Sequence, residues 1–121
     1  MTTVLVAEDD DDILLLVATR LRRDGYDVVT ARNGVEALKL VRERKPDVAV
    51  LDIGMPPPDG LEVTRQIRDD RELASIRLIL LTAKAQASDI QRGIDTGADA
   101  YVSKPFSPAE LSARVAALLD G

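Results

Sequence analysis

Polar side chains that could carry out chemistry follow four separate apolar runs of this 121-residue chain, namely Glu8 and Asp9, Asp52, Thr82, and Lys104. Carboxylates brought together in a partly desolvated pocket repel one another, and a hard cation such as Mg²⁺ or Mn²⁺ relieves that repulsion. A lysine ammonium and a threonine hydroxyl beside such a cation can bind the oxygens of a phosphoryl group. If the runs converge, these residues form a pocket for phosphoryl transfer to one carboxylate nucleophile.

The residue types that are missing narrow the chemistry further. The chain contains no histidine and no cysteine. Ser-His and Cys-His nucleophile pairs, histidine metal ligands and disulfide frameworks are therefore excluded. Any reaction must use carboxylates, lysine, threonine, tyrosine or a bound ion.

Alternating strands and helices are predicted to position these side chains. The strand patterns cover residues 4–7, 26–30, 48–51, 76–81 and 99–102. Helical patterns run from Asp10–Asp12 to Gly25, from Asn33 to just before Pro46, from Leu61 to Asp70, from Ser88 to about Thr96, and from Ser107 onward. This alternation predicts an α/β fold with a doubly wound parallel sheet, in which sites lie beyond the carboxyl ends of the strands.

Apolar spacing predicts which helix residues meet the sheet. The first helix contains Ile13, Leu16, Val17 and Leu21, the second has Val35, Leu38 and Val41 on one face, and Leu111, Val115 and Leu118 of the last are expected to face the core. Asp10–Asp12, Asn33 and Ser107 are expected to cap their helices.

Length and composition predict one domain over residues 1–121. Hydrophobic residues make up 45% of the chain and charged residues 31%, as in ordinary globular domains. No apolar run is long enough to span a bilayer and no signal peptide is recognisable, so we expect a cytoplasmic location and no membrane association. The net charge of −5 argues against direct nucleic-acid binding.

Each of these residues taken singly has an ordinary structural explanation. Asp10–Asp12 are expected to be capping and solvated acids, and they fail as an EF-hand loop because Ile13 falls where an oxygen ligand is needed. Capping gives no reason, however, for acid, acid, hydroxyl and ammonium at four strand ends.

The whole chain resembles the response-regulator receiver domains of two-component signalling. The matching motifs are Val4–Asp10, Leu51-Asp52-Ile53 with Met55-Pro56 and Asp59-Gly60, Leu81-Thr82-Ala83, Gly97–Tyr101, and Lys104-Pro105-Phe106. The resemblance implies a flavodoxin-like sheet of strand order 2-1-3-4-5.

The resemblance also implies roles for individual residues. Asp52 would accept a phosphoryl group from a phosphohistidine on a histidine kinase or histidine phosphotransferase. Mg²⁺ or Mn²⁺ would be bound by Glu8, Asp9, Asp52 and the backbone carbonyl of Gly54. Lys104 and Thr82 would bind the phosphoryl group, Tyr101 would change rotamer with Thr82, and Pro105 would fix the Lys104 loop through a cis bond. Such a domain is a switch that catalyses only its own phosphorylation and dephosphorylation.

The output remains open at this point. A downstream effector protein or an output domain outside this sequence would read the face made by helix four, strand five and helix five. Asp99, Glu110 and Arg114 suggest a weak homodimer through that face, but Ala100 and Ile90 replace residues usual in dimerising relatives. An intrahelical Glu110–Arg114 pair explains two of the same residues equally well.

Two features depart from the family pattern. Pro57-Pro58 replaces the usual residues before Asp59, so we expect a stiffer, altered turn with an intact site. Gly54 and Lys84 occupy the positions that tune hydrolysis, and Gly54 has no side chain to hold the attacking water. We therefore expect a long-lived phosphoryl group.

Two other functions share parts of this pattern. An aspartate-nucleophile phosphatase also needs Mg²⁺, but it normally has a second Asp where Gly54 stands. A flavodoxin-like cofactor-binding module would place the FMN phosphate after strand one, where Glu8 and Asp9 would repel it.

Overall fold

The computed structural model of the protein describes residues 1–83, 91 and 96–120. Its strands are β1 (Thr3–Ala7), β2 (Asp27–Ala31), β3 (Val48–Asp52), β4 (Arg77–Thr82) and β5 (Ala100–Ser103). Its helices are α1 (Asp11–Arg23), α2 (Gly34–Arg44), α3 (Gly60–Asp69) and the C-terminal helix (Pro108–Asp120). Each predicted strand is present, with ends shifted by about one residue. The predicted helix from Ser88 to about Thr96 lies mostly outside the described residues.

The five strands form one parallel sheet in the order β2-β1-β3-β4-β5, which confirms the predicted topology. In the register of β1 and β3, Ala7 lies opposite Leu51, and in that of β3 and β4, Asp52 lies opposite Leu81. Thr82 lies opposite Ser103 at the end of β4 and β5. The carboxyl ends of β1, β3, β4 and β5 therefore lie level at one edge of the sheet. The candidate residues end or directly follow these four strands.

Helices cover both faces of the sheet. Leu5 and Ala7 of β1 pack with α2 and α3, whereas the alternate residues Val4 and Val6 pack with α1 and the C-terminal helix. This alternation follows from the two-residue period of a strand, and it explains why both sets of strand residues are apolar.

The predicted caps are confirmed. The side chain of Asp10 accepts hydrogen bonds from the backbone N–H groups of Asp12 and Ile13, and Asn33 accepts one from Glu36. Ser107 Oγ accepts a hydrogen bond from the backbone N–H of Glu110 at 3.1 Å. Each cap satisfies donors that the first helical turn leaves unpaired.

Two apolar residues of the predicted helices lie outside the core, and one of them, Val35, does not share the buried face of Leu38 and Val41 as predicted. Leu16 is 53% exposed and Val35 is 67% exposed. In α1 the apolar run is wider than one helix face, and the buried positions are Leu14, Val17, Ala18 and Leu21. Val35 lies in the first turn of α2, where the buried face is formed by Ala37, Leu38 and Val41 instead.

Within the described part of the chain, no helix is long and apolar enough to cross a membrane.

Candidate functional site at the carboxyl edge of the sheet

The structure brings the predicted site residues to one edge of the sheet. Glu8 directly follows β1 and is fully buried, while Asp9 beside it is exposed. Asp52 is the last residue of β3 and Thr82 the last of β4, with exposures of 4% and 2%. Lys104 directly follows β5, and its backbone N–H donates to the carbonyl of Thr82 at 2.7 Å.

Three carboxylates form a cluster suited to a cation. One oxygen from each of Glu8, Asp9 and Asp52 lies within 4.8 Å of the others. Two of these groups are buried and one is exposed, so the cluster opens to solvent on the side of Asp9. An all-oxygen set of this kind fits a hard divalent ion. Among the residues that the structure describes, this is the cluster of acidic side chains close enough together to hold a metal ion. Asp10–Asp12 are not members of it.

Backbone amides orient the two buried carboxylates. The N–H of Gly54 donates to Asp52 Oδ1 at 3.1 Å, and the N–H of Asp10 donates to Glu8 Oε1 at 3.1 Å. Side-chain patterns in the sequence could not reveal these donors because every non-proline residue carries the same N–H group.

The ammonium of Lys104 lies between the buried acids. Its Nζ is 2.9 Å from Glu8 Oε2 and 3.3 Å from Asp52 Oδ1, and 21% of the side chain is exposed. The following Lys104–Pro105 peptide bond is cis, as expected from the resemblance.

Burial and mutual charge perturb two groups of the site. Burial raises the pKa of the Glu8 carboxyl to about 7; the hydrogen bond from Lys104 opposes this rise and neighbouring Asp52 adds to it. Burial by itself would lower the pKa of Lys104, but the bonds and charges of Glu8 and Asp52 outweigh it, so this pKa lies above its ordinary value. Lys104 therefore stays an ammonium at neutral pH.

Thr82 and Tyr101 lie on neighbouring strands. Thr82 is opposite Ser103, two residues beyond Tyr101 on β5. Since side chains alternate along a strand, Thr82 and Tyr101 belong to the same face of the sheet. Tyr101 is half-buried and packs against the core cluster on that face.

The unusual proline loop coexists with these contacts. The Pro57–Pro58 peptide bond is cis, and Met55 in the same loop is buried. The carboxylate cluster and the Lys104 ion pairs form alongside this loop.

Asp99, which the sequence suggested for a dimer surface, is held by contacts within the chain. Asp99 Oδ2 is 2.8 Å from Arg68 Nη2 and also accepts the backbone N–H of Leu78. The ion pairs found among the described residues do not include one between Glu110 and Arg114, and Glu110 donates its backbone N–H to Ser107 Oγ at 3.1 Å. Lys84 and Ile90 lie outside the described residues.

The sequence matches a known family over nearly its whole length. A family model described as response regulator receiver domain matches residues 4–116. The chain is 46% identical over 116 residues to the alkaline phosphatase synthesis transcriptional regulatory protein PhoP of Bacillus subtilis, covering 96% of this chain and 48% of that protein. It is 38% identical over 117 residues to the phosphate regulon transcriptional regulatory protein PhoB of Pseudomonas aeruginosa, covering 97% and 51%. The chain thus spans about half the length of these curated relatives.

Solved structures show the same fold. A response regulator from Chloroflexus aurantiacus has a TM-score of 0.93 and 32% identity, covering 99% of this chain and 98% of that one. The chemotaxis response regulator CheY4 of Vibrio cholerae has a TM-score of 0.92 and 30% identity, with 98% of each chain covered.

Proposed function

This chain belongs to the family of response-regulator receiver domains of two-component signalling, and from that premise we propose that Asp52 is its phosphoacceptor. The observation that carries the proposal is the position of the Asp52 carboxylate. It lies 3.3 Å from the Lys104 ammonium and within 4.8 Å of the acids Glu8 and Asp9.

The proposed reaction is transfer of a phosphoryl group from a phosphohistidine of a histidine kinase or histidine phosphotransferase. A carboxylate oxygen of Asp52 attacks phosphorus, a P–O bond forms and the P–N bond to the donor imidazole breaks. The imidazole nitrogen keeps the electron pair, and the product is an acyl phosphate on Asp52. The absence of histidine from this chain is consistent with a donor on another protein.

Glu8, Asp9, Asp52 and the backbone carbonyl of Gly54 would hold Mg²⁺ or Mn²⁺. The bound ion would neutralise charge that develops on the phosphoryl oxygens. The acidic cluster fits such an ion because it holds three carboxylates, of which Glu8 and Asp52 pair with the one Lys104 ammonium.

Lys104 and Thr82 complete the phosphoryl site in this proposal. The Lys104 ammonium turns from the carboxylates toward a phosphoryl oxygen, and the Thr82 hydroxyl donates to another. The movement of Thr82 lets Tyr101, on the same sheet face, change rotamer. The phosphoryl group thereby biases a two-state equilibrium of the surface around β5 and the C-terminal helix.

The partners follow from the chemistry and from the relatives. PhoP and PhoB are named transcriptional regulators and are about twice as long as this chain. We propose that the altered surface acts on an output domain or on a separate effector in the cytoplasm. A weak homodimer through that surface would have Glu110 and Arg114 available, whereas Asp99 is held by Arg68 within the chain.

A mass measurement tests the proposal. The protein is incubated with Mg²⁺ and phosphoramidate or acetyl phosphate, and we expect a gain of about 80 Da, one phosphoryl group. Asp52→Asn should abolish the gain. Asp11→Asn is the matched control, because Asp11 is exposed, pairs with Arg32 and is not one of the three clustered carboxylates, and it should keep the gain. Modification of Asp52→Asn at the wild-type rate would refute the assignment, and steady turnover of small phosphate esters would favour a phosphatase instead.

A further inference from the structure

The loop after Asp52 packs closely against the first residues of two helices. This loop, residues 53–59, leads from β3 to α3. At Gly60, the first residue of α3, an added Cβ would lie 2.6 Å from the carbonyl oxygen of Asp52. At Gly34, the first residue of α2, an added Cβ would lie 1.9 Å from the carbonyl oxygen of Pro58 and 2.7 Å from its Cγ. Neither helix could begin with a larger residue without displacing the loop.

Gly34 has no conformational reason to be glycine. It is helical, and its φ is not in the left-handed region. Glycine lowers helix stability relative to alanine at such a position. The close approach of Pro58 supplies the missing reason, since backbone atoms cannot give way as the end of a flexible side chain can.

A displacement at Pro58 would reach the site. The loop holds prolines at positions 56, 57 and 58, whose fixed φ angles leave few ways to absorb a shift locally. At its other end, Gly54 donates to Asp52 Oδ1 at 3.1 Å, and the carbonyl of Ile53 accepts from the N–H of Gly60 at 3.4 Å. The loop therefore links the start of α2 to the carboxylate that the amide of Gly54 orients.

We propose that Gly34 is a positioning residue for phosphoryl transfer to Asp52, which rests on the function proposed above. Because Gly34 has no side chain, Pro58 can pack directly against the start of α2. This contact fixes the loop so that the amide of Gly54 orients the Asp52 carboxylate. Gly34 is not among the residues proposed to bind the phosphoryl group or the metal ion. Misplacement of a reacting group by about 1 Å can slow a reaction by roughly 100-fold.

The test compares Gly34→Ala with Val41→Ala. Val41 is fully buried in the same helix but lies toward its far end, so its truncation weakens packing without touching the loop. The phosphorylation rate constant with phosphoramidate is measured at saturating Mg²⁺ and at a temperature where circular dichroism shows each variant folded. We expect Gly34→Ala to be slower than wild type by at least about 10-fold and Val41→Ala to match wild type. The amide NMR resonance of Gly54 should shift in Gly34→Ala alone.

A Gly34→Ala rate within twofold of wild type would overturn the inference, as would an equal fall in Val41→Ala. Failure of wild type to gain a phosphoryl group would instead overturn the proposed function, and this inference with it. If Gly34→Ala does not fold, the double variant Gly34→Ala/Pro58→Gly gives the loop freedom to move away from the new methyl group. A folded double variant that reacts slowly supports the positioning role, and one that reacts at the wild-type rate refutes it.

Discussion

The ammonium of Lys104 lies 2.9 Å from the buried carboxylate of Glu8, closer than the 3.3 Å that separates it from Asp52. The lysine pairs with both buried acids and therefore already lies beside the proposed phosphoacceptor. The proposed transfer therefore requires only a short movement of a group already in place.

Replacing the ammonium should impair phosphorylation. Lys104→Met removes the cation that would stabilise the phosphoryl oxygens, and we expect the phosphorylation rate to fall by about 10- to 100-fold. The initial rate with phosphoramidate, measured on folded protein, checks this. Lys45→Met is the control, because Lys45 pairs with exposed Glu72 at 3.6 Å and should leave the rate unchanged. An unaltered rate in Lys104→Met would contradict the role.

Mg²⁺ should stabilise the fold. Bound cation relieves the repulsion among Glu8, Asp9 and Asp52, and ligand at 100 times its Kd adds about 2.7 kcal/mol to the free energy of unfolding. We expect Tm to rise with millimolar MgCl₂ and not with NaCl of equal ionic strength. Asp9→Asn should reduce the rise, because it removes the exposed ligand of the cluster. The metal assignment fails if wild type shows no specific shift.

The phosphoryl group should persist once transferred. Gly54 has no side chain to orient a water, although a Cβ there would lie at an ordinary 3.7 Å from Asp52 Oδ1. Gly54→Asn should therefore shorten the lifetime several-fold by supplying an amide, while Gly54→Ala should change it little. Decay of the phosphorylated mass after removal of the donor gives both lifetimes. A wild-type half-life of seconds would argue against this expectation.

Arg68 should matter more to stability than its neighbour Arg65. The Arg68 guanidinium donates to the carbonyls of Ala74, Ile76 and Gly97 at 2.9, 2.6 and 2.8 Å and also pairs with Asp99. We expect Arg68→Ala to lower the free energy of unfolding by about 2 to 3 kcal/mol. Arg68→Lys should retain little of this stability, since lysine lacks the planar guanidinium that donates several hydrogen bonds at once.

Arg65→Ala serves as the control for that measurement. Arg65 lies on the same helix and pairs with Glu62 and Asp69, but its side chain is 53% exposed. Exposed pairs contribute at most about 1 kcal/mol. Urea denaturation of both variants compares them, and equal losses would contradict the proposed weight of the Arg68 contacts.

The contribution of the contact between Asp24 and Ser112 to the free energy of unfolding should depend on pH. The hydroxyl of Ser112 on the C-terminal helix donates to Asp24, which caps α1, and this bond with the Arg20 pair lowers the pKa of Asp24. A carboxyl whose pKa is lowered in the folded protein contributes stability that is fully present above its unfolded-state pKa of about 4. That stability is lost as the pH falls through the pKa of the folded state.

Ser112→Ala should therefore reduce stability at pH 7 and reduce it less near pH 3. The urea midpoints of wild type and Ser112→Ala at the two pH values give the comparison. A difference between the two proteins that is the same at both pH values would show that Asp24 ionisation is not involved.

The strand-end site was predictable because its members each end or directly follow an apolar strand. Parallel strands that end level must bring Glu8, Asp52, Thr82 and Lys104 to one edge, whatever the details of packing. Helix caps such as Asp10 and Asn33 were predictable for a similar reason, since capping involves residues two or three positions apart.

Which helix residues face the sheet was less predictable where a helix has more apolar residues than one face can bury. The run Ile13–Ala18 offers more apolar side chains than one face can bury, and the sheet contact leaves Leu15 and Leu16 outside. Val35 is left outside because the buried face of α2 is formed by Gly34, Ala37, Leu38 and Val41, and Val35 does not belong to that face.

The sequence by itself determined the α/β alternation, the parallel sheet and the set of residues at its carboxyl edge, because strand and helix periods are local properties. Only the tertiary structure decided that Lys104 lies nearer Glu8 than Asp52, that Arg68 holds Asp99, and that Pro58 rests on Gly34. These contacts join residues 24 to 96 positions apart. Such distances depend on strand register and loop packing together, and no local pattern of residues encodes them.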